Sequence, residues 1–543
     1  MFILMVVIFI LGYTMIALEH PIKIDKAASA LLMGTVLWAL YALNGQDILN
    51  LGYSRAWLHF SELNPSLSKT TEGVREFIVH HDVLDHLADI STILFFLLGA
   101  MTIVEIVDQH EGFKIITDKI KTTKKVKLLW IISFLTFFMS AVLDNLTTTI
   151  VIIALLRKLV DDKQTRWFFA GMVVVAANAG GAFSPIGDVT TIMLWIGEQV
   201  TTANIIMKLF VPSLFTMIIP LILLSFTLKG NVTRPKVVPA GEHDVTTTPT
   251  QQIVMLVMGV SALLFVPIFK TVTHLPPYLG MLFGLSIIWI TTEIMHRRTK
   301  TKYEGTFKLS VNSILTRVDV PTIFFFLGIL TAVAALESAG HLDLLATSLK
   351  DWGLGVYPVA IIIGLLSSVV DNVPLVAASM GMYPIDPFHV QFMQDGIFWE
   401  LIAYTAGTGG SILIIGSAAG VAAMGMEKID FIWYMKRISL LAALGFFAGA
   451  GTYYLQEQFM QESLHAKIIP FDTIPKTAKD KVTADFSDYT VKDVEKYFKG
   501  RKNELIGYVV EAEKEGKIYD IRFKEDGTFM DVVDDVESPG DVK

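Results

Sequence analysis

The run Ser140-Ala-Val-Leu-Asp144-Asn145-Leu-Thr147-Thr148-Thr149 sets a carboxylate, a carboxamide and three consecutive hydroxyls inside a long apolar stretch. An Asp at a bilayer centre costs about 3 kcal/mol on insertion scales, so intramembrane carboxylates face cavities and mark functional sites. The same spelling, S-x-V-x-D-N, returns at Ser367-Ser-Val-Val-Asp371-Asn372-Val-Pro374, which carries the Asp from position 144 to position 371. Two copies of an Asp-Asn tip suggest one site built from two halves. A small hard cation such as Na⁺ or Li⁺ takes oxygen ligands; Asp144 and Asp371 supply carboxylates, and Asn145, Asn372, Thr147 and Thr148 supply neutral oxygens. Desolvation favours the protonated form of a carboxylate and a bound cation favours its charged form, so one carboxylate can exchange the two.

The repeat extends on both sides of the tips at a nearly constant offset. Asp89-Ile-Ser-Thr92-Ile-Leu-Phe95-Phe96 matches Asp319-Val-Pro-Thr322-Ile-Phe-Phe325-Phe326 upstream. Downstream, Gly180-Gly181 with Gly187 matches Gly409-Gly410 with Gly416. Paired apolar segments interrupted by Gly in corresponding places of two halves point to a secondary transporter with broken helices, whose exposed carbonyls coordinate ions. The first break also carries Asn178, Ser184 and Asp188; the second carries Thr408 and Ser411 and no carboxylate. These are candidate ion-binding and proton-exchanging groups, with Asp319 and Thr322 as possible accessories. An Asp before a helix also caps it, and for the two tips both roles are compatible.

The elements that must position these residues are membrane spans. The chain has 543 residues, 53% of them hydrophobic, and no Cys; its mean hydropathy is +0.55. That excludes a soluble globule, a disulfide framework and a thiolate metal site. The net charge of −8 and the absence of a long basic run give no footprint for nucleic acid. Phe2–Leu18 lacks a basic flank and a small-residue cleavage site and is read as a first span.

Spans are expected near 2–18, 27–43, 87–107, 206–228, 251–269, 276–294, 319–338 and 438–455, with broken helices at about 167–200 and 396–426. Residues 109–127 carry six lysines, and Arg157, Lys158, Lys163 and Arg166 follow the first tip, so both flanks of that tip are expected inside. Two ordinary crossings do not fit between Leu128 and Leu156, since a span needs about 20 residues. The first tip is therefore expected in a re-entrant hairpin at about 128–160 and the second in one at about 355–383. Arg297, Arg298, Lys300, Lys302, Lys308 and Arg317 place a further loop inside.

The expected fold is an all-α polytopic membrane protein of two inverted repeats, 1–228 and 251–456, each with five crossings, a hairpin and a broken helix. Both termini are then outside. A small soluble α+β tail follows over 470–543, with a helix near Thr490–Gly500 and strands at Gly507, Lys517 and Thr528; it lies outside the repeat and is expected to be dispensable for exchange.

The Asp144-Asn145-Leu-Thr-Thr run, the GGAFSPIGDVTT run at 180–191, Asp371-Asn372-Val-Pro, and Glu19-His-Pro-Ile-Lys-Ile-Asp-Lys26 together resemble NhaD-type sodium/proton antiporters. Their superfamily also holds arsenite permeases and sodium/dicarboxylate symporters. The resemblance covers about residues 1–455. It implies a membrane transporter rather than an enzyme, with Na⁺ or Li⁺ and H⁺ as transported ions, no cofactor, residence in the inner (cytoplasmic) membrane, and a homodimer in the bilayer. It also implies roles for Asp144, Asn145, Asn178, Asp188, Asp371 and Asn372. A sodium-coupled dicarboxylate symporter is the nearest rival, but Asp at both tips would repel an anionic substrate. An intramembrane aspartyl protease also holds two membrane Asp residues, but Pro185-Ile-Gly187-Asp188 lacks the first Gly of G-x-G-D.

Overall fold

The computed structural model describes residues 1–543 except 18, 118, 236–246, 297–308, 370, 461–463, 500–503, 515 and 535–543. The basic residues from Arg297 to Lys308, which place a loop inside, lie outside the described residues, as does Gly500. The chain forms two compact units, one of residues 1–384 and 400–453 and one of residues 385–399 and 454–543.

The first unit is helical. Its elements are α1 (Phe2–Ala17), α2 (Lys26–Leu49), α3 (Leu84–Gln109), α4 (Lys125–Leu143), α5 (Asn145–Leu159), α6 (Lys163–Ala182), α7 (Val189–Ile196), α8 (Thr202–Thr227), α9 (Pro249–Thr273), α10 (Pro277–His296), α11 (Val320–Ser338), α12 (Val356–Leu366), α13 (Asn372–Met382), α14 (Ile397–Gly409), α15 (Ala418–Glu427), α16 (Phe431–Arg437) and α17 (Ser439–Met460). The first three residues of α14 and the end of α17 belong to the second unit. Among the described residues seven helices are long and apolar enough to cross a membrane, or eight if the bent pair α16 and α17 is one span. The expected ten differ because α1 and α14 are shorter than a span and α6, although 20 residues long, is not apolar enough to count as one. Hydropathy predicts α4 as a short hairpin arm, yet at 19 residues it reaches span length. It starts at Lys125, ahead of the apolar run that opens at Leu128.

Equivalent contacts recur in the two halves. A Cβ on Gly180 would strike the carbonyl oxygen of Phe137, and one on Gly409 would strike that of Gly364. The hydroxyl of Ser140 donates to the Ala177 carbonyl at 2.6 Å, and that of Ser367 donates to the Ala406 carbonyl at 2.7 Å. Each tip is thus pinned to the first segment of a broken helix through a glycine that lets the backbones touch and a serine that bonds across the contact. Gly181 lies against Gly187, and Gly410 against Gly416, where each helix breaks. The pair α2 and α11 closes in the same way, with Gly34 against Gly328. Within the 19–26 motif, Asp25 accepts the Ala27 N–H at 2.8 Å and caps α2, and the Lys26 ammonium stands 4.5 Å from the centre of the Phe325 ring.

The second unit is α+β. Strands β1 (Leu464–Ile468), β2 (Thr490–Lys499), β3 (Glu504–Lys514), β4 (Lys517–Lys524) and β5 (Phe529–Asp534) form an antiparallel sheet in sequence order. A helix, α18 (Lys476–Asp485), puts Ala478 and Val482 on one sheet face against Tyr508, Val510, Ile521 and Phe523. The segment expected as a helix at Thr490–Gly500 is β2. Its buried residues, Val494 and Tyr497, stand three apart because they lie on opposite faces, Val494 in the cluster with α18 and Tyr497 against Phe388. A strand covered on both faces can thus show the apolar spacing of a helix.

Overpacking a close contact costs about 1–3 kcal/mol. Gly180→Val and Gly409→Val are each expected to lower the melting temperature of the purified protein. Gly451→Ala, where nothing lies within 4 Å of the added atom, is the control and should leave it unchanged.

Candidate ion site at the helix breaks

Asp144 is the single residue between α4 and α5 and the N-cap of α5. Its Oδ1 accepts the Thr147 N–H at 2.8 Å and its Oδ2 accepts the Thr147 hydroxyl at 2.7 Å. Its backbone sits at φ 85° and ψ 159°, a region that side chains rarely enter and that persists only where the surroundings enforce it. Asp371 caps α13 at an ordinary φ of −51°, accepting the Val373 N–H at 3.3 Å, while its own N–H donates to the Tyr13 hydroxyl at 2.8 Å. Both tip carboxylates are half-buried, and the Asn after each is buried.

The two carboxamides lead into the first broken helix. Asn145 Nδ2 donates to Asn178 Oδ1 at 3.1 Å, and Asn178 Nδ2 donates to Ser411 Oγ at 3.0 Å and Ser417 Oγ at 2.9 Å. Asn178 thus spans both breaks from a fully buried position on α6. On the other side Asn372 Nδ2 donates to Asp188 Oδ2 at 3.0 Å. Asp188 is buried, forms a capping box with Thr191 on α7, and lies against Gly407, where a Cβ would approach its Oδ2 to 3.4 Å. Asp188 therefore caps a helix and also receives a donor from the other half.

Of the remaining candidates, Ser184 donates to the Ala141 carbonyl at 2.5 Å and ties the first break to α4. Thr408 donates to the Tyr404 carbonyl at 2.6 Å within its own helix. The Thr148 hydroxyl is fully buried and has no hydrogen-bond partner, which leaves an oxygen beside the tip available to an ion. Asp319 is exposed, caps α11 and bonds Thr322 at both the N–H and the hydroxyl; the contacts seen there account for both residues as a surface helix cap. Among the described residues no three His, Asp or Glu side chains converge as a metal-holding group. The tips thus offer single carboxylates with neutral oxygens rather than a cage of acids.

Three residues escaped the sequence reading. Ser417 holds the place in the second half that Asp188 holds in the first, so the repeat itself marked it, but a Ser facing an Asp drew no notice. Tyr13 lies in an otherwise apolar helix and carried no signal. Glu427, buried at the end of α15, accepts from Arg157 Nε at 2.7 Å and Arg166 Nε at 3.0 Å. The basic residues used to orient the chain therefore also join the first half to the second break.

The fold and site define a multi-pass helical membrane protein whose polar groups gather where two helices are broken. Residues 2–409 match the citrate transporter family. The chain is 44% identical over 451 residues to sodium/proton antiporter 1 of Arabidopsis thaliana, covering 83% of this chain and 71% of that protein. It is 42% identical over 460 residues to sodium/proton antiporter 2 of the same plant, covering 84% and 100%. It is 30% identical over 460 residues to the Na(+)/H(+) antiporter NhaD of Vibrio cholerae, covering 79% and 86%. The chain belongs to this transporter family, with the NhaD-type sodium/proton antiporters.

Asn178→Ala removes three hydrogen bonds at about 1 kcal/mol each. It is expected to lower stability by about 3 kcal/mol, read as a fall in melting temperature, whereas Asn178→Gln should lose less. An unchanged melting temperature in Asn178→Ala would mean that the bridge across the breaks is not formed.

Proposed function

We propose that this chain exchanges Na⁺, or Li⁺ in its place, for protons across the cytoplasmic membrane, with the ion held at the Asp-Asn tips. The observation that carries the reading is the pair of bonds Asn178–Ser417 and Asn372–Asp188, which bring side chains of both halves together at the two breaks. Asp144 and Asp371 bind the cation together with Asn145, Asn372 and the oxygens of Thr147 and Thr148. Asp188 is the third carboxylate and acts through Asn372. Protons and cations compete for these groups, so binding one expels the other, and the gradient of protons drives the cation outward.

The two halves are inverted repeats in this reading, with the first hairpin entering from the cytoplasm and the second from outside, and with both termini outside. The lysines and arginines at 109–127 and 157–166 support that orientation. The working unit is a homodimer. Val257 and Leu264 on α9 and Ile287 and Ile290 on α10 are exposed and supply apolar surface for lipid or a second copy.

The citrate transporter match raises a sodium-coupled carboxylate symporter as the second reading. A bound citrate would face Asp144, Asp188 and Asp371, and like charges in a desolvated site cost several kcal/mol. In everted vesicles with an imposed proton gradient, Na⁺ or Li⁺ is expected to dissipate the gradient and citrate or a dicarboxylate is not. Sodium-dependent uptake of citrate in place of that response would make the symporter the correct reading.

Asp144→Asn and Asp371→Asn keep size and an oxygen but remove the titrating charge. Each is expected to lower Na⁺-dependent exchange at least about tenfold, the worth of one charge-assisted contact. Normal exchange in both variants would reject the competition mechanism and turn attention to Asp188. Because the chain has no Cys, introduced cysteines test the topology. Lys121→Cys and Lys163→Cys should be labelled from the cytoplasm, and Trp352→Cys and Ile385→Cys from outside; labelling of the first two from opposite sides contradicts the hairpin.

A further inference from the structure

The second unit contains a piece of chain from the middle of the sequence. Residues 385–399 run from just after α13, which follows the second tip, into the start of α14, the first segment of the second broken helix. The unit's sheet has α18 on one face. On the other face Phe388, fully buried, packs with Tyr497 and Val509, flanked by Ile506 and Met530.

The contact is specific. The Phe388 ring lies edge-on to Tyr497 at 5.3 Å between centres and seats over Gly507, where an added Cβ would approach it to 3.0 Å. Arg522 is held between two carboxylates, with Nη1 2.7 Å from Asp386 Oδ2 and Nη2 2.6 Å from Asp531 Oδ2, and its guanidinium is 5.6 Å from the Phe388 ring centre. Burial alone would lower the Arg522 pKa, but those two carboxylates push it further up and hold the group charged. The Lys499 ammonium reaches the Gln394 carbonyl at 3.5 Å. Residues 507–510 of β3 are buried without alternation, the pattern of a strand covered on both faces. One cover is α18 and the other is the 385–399 segment.

We infer that segment 385–399 is a structural part of the C-terminal domain, and that this domain permanently anchors the link between the second tip helix and the second broken helix. The occupant of the second sheet face is thus the chain's own loop. An aromatic anchor in a pocket beside a two-sided ion pair is the make-up of a lasting interface, so the loop stays docked through the cycle. The anchor limits where α13 and α14 can go, and losing it disturbs the site at a distance. This rests on the transport reading above, and it revises the expectation that the tail is dispensable.

The test uses the full chain in its membrane. Gln394→Cys with Lys499→Cys leaves Phe388 and Arg522 in place and is treated with a short thiol-reactive cross-linker. The expected result is a cross-link in resting vesicles, with exchange at the rate of the untreated protein. Phe388→Ala is expected to reduce the cross-link and slow Na⁺-dependent exchange by about threefold or more, as mutations in gating loops do, and Phe388→Leu to restore most of both. Truncation after Met460 should slow exchange as Phe388→Ala does, and if it fails to insert, the full-length variants decide. A cross-link that stops exchange overturns the permanent anchor in favour of a releasing latch, and full-rate exchange in Phe388→Ala with its cross-link lost overturns any role for docking. The cross-link is read without transport, so a chain that forms it yet never exchanges Na⁺ for H⁺ fails the transport reading alone.

Discussion

A polar group carried into an apolar interior must find partners there, because an unpaired donor or acceptor costs about 1–3 kcal/mol and a charge more. The arrangement around the two tips follows from that requirement. Broken helices expose carbonyls and N–H groups, and these are satisfied by side chains of the neighbouring segment: Ser140 on Ala177, Ser367 on Ala406, Ser184 on Ala141. Glycines at 180 and 409 let the segments come close enough for those bonds to form. Asn178 completes the set by joining the first tip to both serines of the second break. The polar cluster is then held in place where regular secondary structure is interrupted.

The halves share a backbone plan and differ in chemistry. Where the first half has Asn178 the second has Gly407, and where the first has Asp188 the second has Ser417, both at the offset that carries Gly180 to Gly409. The polar weight therefore lies on the first break, and the second break contributes small residues that leave room for it. Asn372 reaches across to Asp188, whereas Asn145 stays within its own half and bonds Asn178. The backbone of Asp144 is strained and that of Asp371 is not. Two equivalent tips thus stand in unequal surroundings.

Charged residues away from the site act as fasteners. Glu427 gathers Arg157 and Arg166 at the end of the second break, and Arg522 gathers Asp386 and Asp531 in the C-terminal unit. In both places a central charge meets two opposite ones, an arrangement that offsets desolvation better than a single pair. The lipid-facing surface needs no such devices and remains apolar, as at Ile268 and Phe283.

The sequence by itself determined the class, the polar tips and the breaks, because these are local matters. Hydropathy reports the solvent around a span, and an Asp, an Asn or a Gly pair in an apolar run stands out against it. The nearly constant spacing of the repeated landmarks carried the pairing of the halves without any coordinates. Span number was less legible, since a helix interrupted at a break is shortened, as α14 is, or diluted by polar and small residues, as α6 is. Strand β2 read as a helix because both of its faces are covered, which leaves Val494 and Tyr497 buried three apart. Only the tertiary structure decided that Asn372 faces Asp188, that Tyr13 touches the second tip, and that Phe388 belongs to a sheet formed far along the chain by the C-terminal strands. Those are contacts between distant segments, and a residue's type says what it can bond but not which segment will stand opposite.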